Sequence, residues 1–285
     1  MNFASQFRTV EQDKQNKSYN DGILIERRAD NLLPEKTRTN TIYVDSRDRN
    51  ATSYPNSNDF SIELTEDFRD IVSAEVVGLE MRKSEFLINA DNKTVYYTNS
   101  SGEQTATVTE GNYTEANIND AISALAPFSS TYSSNTKKFT LTKAVGVVSI
   151  DFSKGNLADI LGFTRKVHTF GDSTLVSDKF ADLDGESYAL LRIEEFDNTS
   201  GTNSGHNGCM VRIPLVDVTF NNTVRMRSSD FGVKAYKLFE PVIPRLSKLR
   251  IKLTKRDGTP YRNNNTDFIF TLVLTTRFQV GKYNF

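Results

Sequence analysis

Tryptophan is absent from the 285 residues, cysteine occurs once and histidine twice. The lone Cys209 excludes an intramolecular disulfide and fits folding in a reducing compartment. Sugar-binding clefts commonly use tryptophan as a stacking platform, so its absence weighs against a glycan-processing enzyme. No stretch approaches the ~20 apolar residues of a membrane span, and residues 1–10 hold no apolar core of signal-peptide length. The expectation is a soluble chain without a transmembrane segment, made and folded in the cytosol. No G-x-x-x-x-G-K-[ST] run exists, which excludes a nucleotide P-loop. A formal net charge of -1 argues against a dedicated nucleic-acid binder.

Constellations that carry chemistry are equally scarce. His206 and Cys209 share a Gly-rich loop, but a zinc site there would need further ligands that cannot be named, and His168 stands apart. In Gly201-Thr202-Asn203-Ser204-Gly205 the serine is in the wrong place for a nucleophile elbow, and the apolar strand that should precede one is missing. Asp45-Ser46-Arg47-Asp48-Arg49 is the densest charged cluster. Its two guanidiniums oppose a cation site and favour ion pairs that pin a loop to neighbouring backbone. Carboxylate pairs distant in the chain are not excluded by sequence. No catalytic, cofactor-binding or metal residue is assigned, no cofactor is expected, and the chain reads as a scaffold, not an enzyme.

What the chain does have is alternation and an uneven charge. From Arg212 onward there are 14 Lys/Arg against 5 Asp/Glu, leaving 21 against 31 before it. Such a split suggests complementary faces for joining copies or docking an acidic partner, or simply a solvated surface. Residues 1–38 are dominated by Gln, Asn, Asp, Lys and Arg. They read as an extended arm with too little apolar area to offset the entropy of ordering. Strands begin near Thr41, and Phe60, Ile62 and Leu64 alternate with Ser61 and Glu63. In residues 71–81 the apolar phase switches at Val76-Val77, which predicts a bulge beside Gly78.

Residues 91–165 have a different rhythm and read as an α+β insertion. A hairpin is expected around Ser100-Ser101-Gly102-Glu103. Thr114 caps a helix with Ile118, Ala121, Ile122 and Leu125 at helical spacing, ended by Pro127. A second hairpin is expected between residues 138–141 and 148–152, then a short helix closed by Gly162. Strands resume after Gly185. Ala189, Leu191 and Ile193 alternate, then Val211 and Ile213, then Val216, Val218 and Phe220, and residues 233–238 form another candidate. Residues 249–254 and 267–278 read as a final pair about Asp257-Gly258, the second strand apolar on both faces and hence central. The fold class is all-β, a β-sandwich formed by residues 39–90 and 166–285, with the insertion at 91–165 and the arm at 1–38.

Several of these segments, in order, carry a family likeness. Ile42-Tyr43-Val44-Asp45-Ser46-Arg47-Asp48-Arg49, Tyr54-Pro55, Asp59-Phe60-Ser61-Ile62-Glu63-Leu64 and residues 74–79 come first. Gly111-Asn112-Tyr113-Thr114, Lys138-Phe139-Thr140 and Leu161-Gly162-Phe163 follow. Pro244-Arg245-Leu246-Ser247-Lys248-Leu249 and Asp257-Gly258-Thr259-Pro260-Tyr261 close the series. Together they resemble the single jelly-roll penton proteins of nucleocytoplasmic large double-stranded DNA viruses. The resemblance implies a single jelly roll, with five copies ringed at each five-fold vertex of the virion. It implies as partners a second copy, major capsid protein capsomers and other minor capsid proteins, and no sequence-specific nucleic acid. Two other roles suit the same fold: a minor capsid or cement protein between capsomers, and a carbohydrate-binding β-sandwich.

Overall fold

A computed structural model describes residues 36–125, 127–196, 206–230 and 235–278. Antiparallel strands dominate them. The framework strands are β1 (Lys36–Asp45), β2 (Asp59–Arg82), β10 (Tyr188–Ile193), β11 (Cys209–Pro214), β12 (Thr223–Arg227), β13 (Tyr236–Thr254) and β14 (Ile269–Phe278). Between them in sequence come β3 (Thr94–Asn99), β4 (Gly102–Thr107), α1 (Glu115–Ser123), β5 (Phe128–Ser133), β6 (Lys138–Lys143), β7 (Val147–Asp151), α2 (Leu157–Leu161), β8 (Val167–Thr169) and β9 (Thr174–Val176).

The framework is one continuous seven-stranded sheet in the order β1-β14-β2-β13-β10-β11, with β12 also on β2. It curls about its core instead of dividing into two separately hydrogen-bonded sheets. The long strand β2 is its spine, and irregularities in that strand supply the curvature. Thr271 pairs with Gly78 and Leu272 with Val76, so Val77 is the extra residue of the bulge that the phase switch predicts. A second break lies where Asp70 takes φ 51° and β13 jumps register between Leu238 and Ile243. Extra residues bend a strand and increase its twist, which lets Phe60 on one reach of the sheet meet Phe268, beside β14, edge to face at 6.0 Å. The core behind them includes Leu79, Leu249, Ile251, Phe270 and Leu272, all at most 1% exposed.

A second, separate apolar core runs from Leu87 to Phe170, with Leu175 and Leu183 packed against it. It sits among the sheets β4-β3-β7-β8 and β5-β6-β9. Its helix α1 starts where expected, with the Thr114 N–H donating to Asn117 Oδ1 at 2.6 Å, and buries Ile118 and Ile122. The hairpin at Ser100-Ser101 is present, with Asn99 opposite Gly102.

Several expectations are corrected. Residues 138–143 and 147–151 are strands but not partners. β6 pairs with β5 and β9, whereas β7 pairs with β3 and β8. The polar β5, Phe-Ser-Ser-Thr-Tyr-Ser, gives too weak an apolar signal to be seen. Residues 249–254 and 269–278 do not pair either, because β2 lies between β13 and β14. Val216, Val218 and Phe220 belong to a turn region, with Asp217 at φ 63°, and the strand there is instead β12. Their alternation reflects loop anchoring: Val218 packs on the framework core and Phe220 on Phe86 at 5.8 Å. The second core takes residues on both sides of 91–165, since β8 and β9 have three residues each, too few to show a period. Strand β1 begins at Lys36, opposite Phe278, inside the segment read as the arm, and the rest of that arm lies outside the described residues.

Candidate functional site

The charged motif after β1 folds into a polar knot at one end of the framework. Ser46 is fully buried. Its Oγ donates to Asp267 Oδ1 at 2.9 Å and accepts from the Phe268 N–H at 3.0 Å. Arg49 is the centre, its side chain only 9% exposed. Its guanidinium donates to Ser46 O at 2.6 Å, Asp267 Oδ1 at 2.8 Å, Tyr54 O at 3.1 Å and Asn265 Oδ1 at 3.2 Å. Asp45 takes Arg47 in a forked contact, and that bond holds the Asp45 carboxyl below the usual carboxylate range against the effect of burial. Nearby, Asn58 Nδ2 donates to Tyr261 O at 2.8 Å, and the Arg250 guanidinium lies 5.0 Å over the Tyr54 ring. Sequence reading finds the pinning role of residues 45–49 but not the distant partner strand end, 261–268, that they pin.

Beside the knot a polar cleft of about 970 Å³ separates the two cores. Lys255, at the end of β13, reaches Glu85 at 2.7 Å and Glu186 at 3.8 Å, one on each of the two connections between the cores. Arg262 forks onto Asp91 with both bonds at 2.7 Å, and its N–H donates to Glu85 Oε1 at 3.3 Å. Burial pushes the Glu85 and Glu186 carboxyls up despite the attraction of Lys255. The bond from Arg262 holds Asp91 down. The Tyr261 hydroxyl is buried beside Glu85 and raised by desolvation. Of these residues only Tyr261 stands in one of the motifs quoted from the sequence, and nothing there marks Glu85, Asp91, Glu186, Lys255 or Arg262.

The signs give a pH dependence. A carboxyl raised in the fold destabilises it when ionised, so that penalty is relieved as pH falls from neutral toward the ordinary glutamate value of 4.5. A carboxyl held down, such as Asp45 or Asp91, contributes stability that is lost only below its ordinary value of 3.8. Stability measured by denaturant midpoint is therefore expected to rise from neutral pH to about 5 and to fall below about 3.8. Glu85→Gln should flatten the rise, and a steady decline from neutral pH would contradict this assignment.

The other sequence-selected residues are dispersed. His168 is buried in the second core, edge-on to Phe152 and Phe163, with Nε2 2.9 Å from Thr164 O. His206 bonds the Tyr188 hydroxyl at 2.9 Å, and burial raises the Cys209 thiol. Among the described residues no group of three His, Cys, Asp or Glu is placed to hold a metal. Residues 201–205 lie outside the described residues. The charge split is answered in part within the chain. Arg225, Arg245, Arg250, Lys252, Lys255 and Arg262 each pair with a carboxylate from the first 211 residues.

The architecture defines a mostly β protein whose curled antiparallel sheet carries a second, separately packed core. A model described as a family of unknown function (DUF5901) matches residues 31–159. No curated protein matches the sequence. Among solved structures, the penton protein of mavirus is similar at 12% identity and a TM-score of 0.41, over 85% of this chain and 100% of that one. Among the described residues no helix is long and apolar enough to cross a membrane.

Proposed function

We propose that this chain is a structural capsid protein with a single jelly-roll framework, acting as the penton subunit at the five-fold vertices of a large icosahedral double-stranded DNA virus. One observation carries the reading. Widely separated segments of the family likeness, Asp45-Ser46-Arg47-Asp48-Arg49, Tyr54-Pro55 and Asp257-Gly258-Thr259-Pro260-Tyr261, gather about the knot and its neighbouring turn. Motifs that share one structural joint support a common framework better than isolated strings do. In this reading the work is scaffolding, not catalysis. The chain divides into an arm, the curled framework and an insertion, the last extended to the limits of the second core. Its partners are further copies, major capsid protein capsomers and other minor capsid proteins, and its location is the virion vertex.

Native mass spectrometry of the full chain over a range of concentrations, with imaging of labelled protein in assembled particles, tests this. Pentamers, or monomers that occupy five-fold positions in particles, are the expected result. Density between capsomers would assign the chain instead to a minor capsid or cement role. A stable monomer that binds glycans and is absent from particles would overturn the capsid reading.

A further inference from the structure

Two stretches of chain join the cores, and on each the passage from one body to the other is short. Ser84 belongs to the framework, its Oγ donating to Asn263 O at 2.6 Å. Three residues on, Leu87 lies in the second core and its carbonyl accepts from Asn92 Nδ2 at 2.9 Å. On the return, Leu183 packs on the second core, and Ser187 O accepts from the framework's Leu215 N–H at 2.9 Å. Glu85 sits in the first passage, and Glu186, after Gly185 at φ 72°, in the second. Lys255 reaches both from the framework, with side-chain exposures of 8% for Glu85, 14% for Lys255 and 35% for Glu186. Beside this clamp stand the half-exposed Arg262–Asp91 fork and the ring of Phe86 on Phe220. Bodies that meet across a polar cleft, without a large apolar interface, move relative to one another about their connections.

We propose that the two cores are hinged at residues 85–86 and 184–186, and that Lys255 with Glu85 and Glu186 forms a proton-gated lock on that hinge. The charges set its direction. With the cleft closed, one ammonium stands between two carboxylates. Glu85 also faces the Tyr261 hydroxyl and Arg262, and Glu186 faces Asp182, Asp257 and Arg256. One proton taken up by either glutamate leaves one carboxylate for one ammonium. Without it the lysine is shared, and the surplus charge regains water only when the cores swing apart. The closed state therefore holds more protons than the open one. The cleft closes as pH falls from neutral toward the ordinary glutamate value of 4.5 and opens as pH rises again. Asp91, held ionised by Arg262 through that range, acts as a strap that limits the opening.

The test measures the distance between the bodies in the full chain carrying Cys209→Ser. Spin labels go on Ser101→Cys, at the tip of the β3–β4 hairpin, and on Thr65→Cys in β2, both exposed positions. Pulsed electron resonance should give a distance distribution about twofold wider at about pH 7.5 than at about pH 5. Adding Glu186→Gln, or separately Glu85→Gln, leaves one carboxylate for Lys255 and should give the narrow distribution at both pH values. Simple loss of an ion pair would widen it instead. Equally narrow distributions at both pH values without either glutamine overturn the hinge. Equally broad ones overturn the lock, as does a pH dependence that survives both substitutions. Hydrogen exchange of residues 84–87 and 184–187 in the unlabelled chain, corrected for intrinsic rates, keeps the test decisive if the labelled variants misfold. Protection there should be greater at the lower pH, and equal protection overturns the lock.

Discussion

Gly162→Ala is expected to unfold the second core while leaving the framework sheet intact. Gly162 ends α2 with φ 80° and ψ 20°, a left-handed cap that satisfies the Ala158 carbonyl. A Cβ there would stand 2.5 Å from Lys179 O and 2.8 Å from Phe180 O. That neighbouring backbone cannot give way cheaply. The Lys179 N–H donates to Gly162 O, Ala181 N–H to Lys137 O and Asp182 N–H to Ile160 O, each at 2.8 to 2.9 Å. Left-handed strain of about 1–2 kcal/mol therefore adds to a backbone clash, for a total loss of about 3–5 kcal/mol. Hydrogen exchange should show protection lost in α2, β6 and β9 but kept in β2 and β14. Gly171→Ala, where nothing lies within 4 Å of the added carbon, should change stability by less than about 0.5 kcal/mol. Equal protection in both variants would show that segment 179–182 shifts freely.

The same glycine marks what sequence can and cannot disclose. A short helix followed by glycine is visible as a pattern, because the cap conformation is a local matter of one residue's φ. The 179–182 segment that crowds it is seventeen or more residues away, and no local signal carries that contact. Strand pairing divides in the same way. The Val77 bulge is legible because it shifts the apolar phase within β2 itself. The neighbour order β14-β2-β13 is not, because every alternating strand offers the same two edges to any partner. Local hairpins are therefore inferred too readily, as between residues 138–141 and 148–152. Charge behaves likewise. The basic C-terminal segment is obvious in composition, but its partners in β2 and on the two connections to the second core emerge only when the sheet curls.

Arg49→Ala is expected to cost the framework about 2–3 kcal/mol, from the loss of several charge-assisted hydrogen bonds to backbone and of an ion pair whose carboxylate is partly exposed. The guanidinium binds Asp267, two backbone carbonyls and the Asn265 amide at once, with the side chain 9% exposed. Removing it leaves the Tyr54 carbonyl without that donor, the Ser46 carbonyl with only the long 3.4 Å bond from the residue-49 N–H, and the Asp267 carboxylate with the Ser46 hydroxyl but no cation. Arg49→Lys separates charge from shape. An ammonium can keep Asp267 but cannot span carbonyls on either side of a planar fork, so lysine should recover less than half of the loss. Protection of β1 and β14, which the knot ties at residues 46 and 268, should fall in step, with the second core unaffected. A lysine variant as stable as the parent would mean that charge alone holds the knot. If instead geometry holds it, arginine at this position follows from physics: one side chain must close a loop onto backbone that lies more than two hundred residues later in the chain.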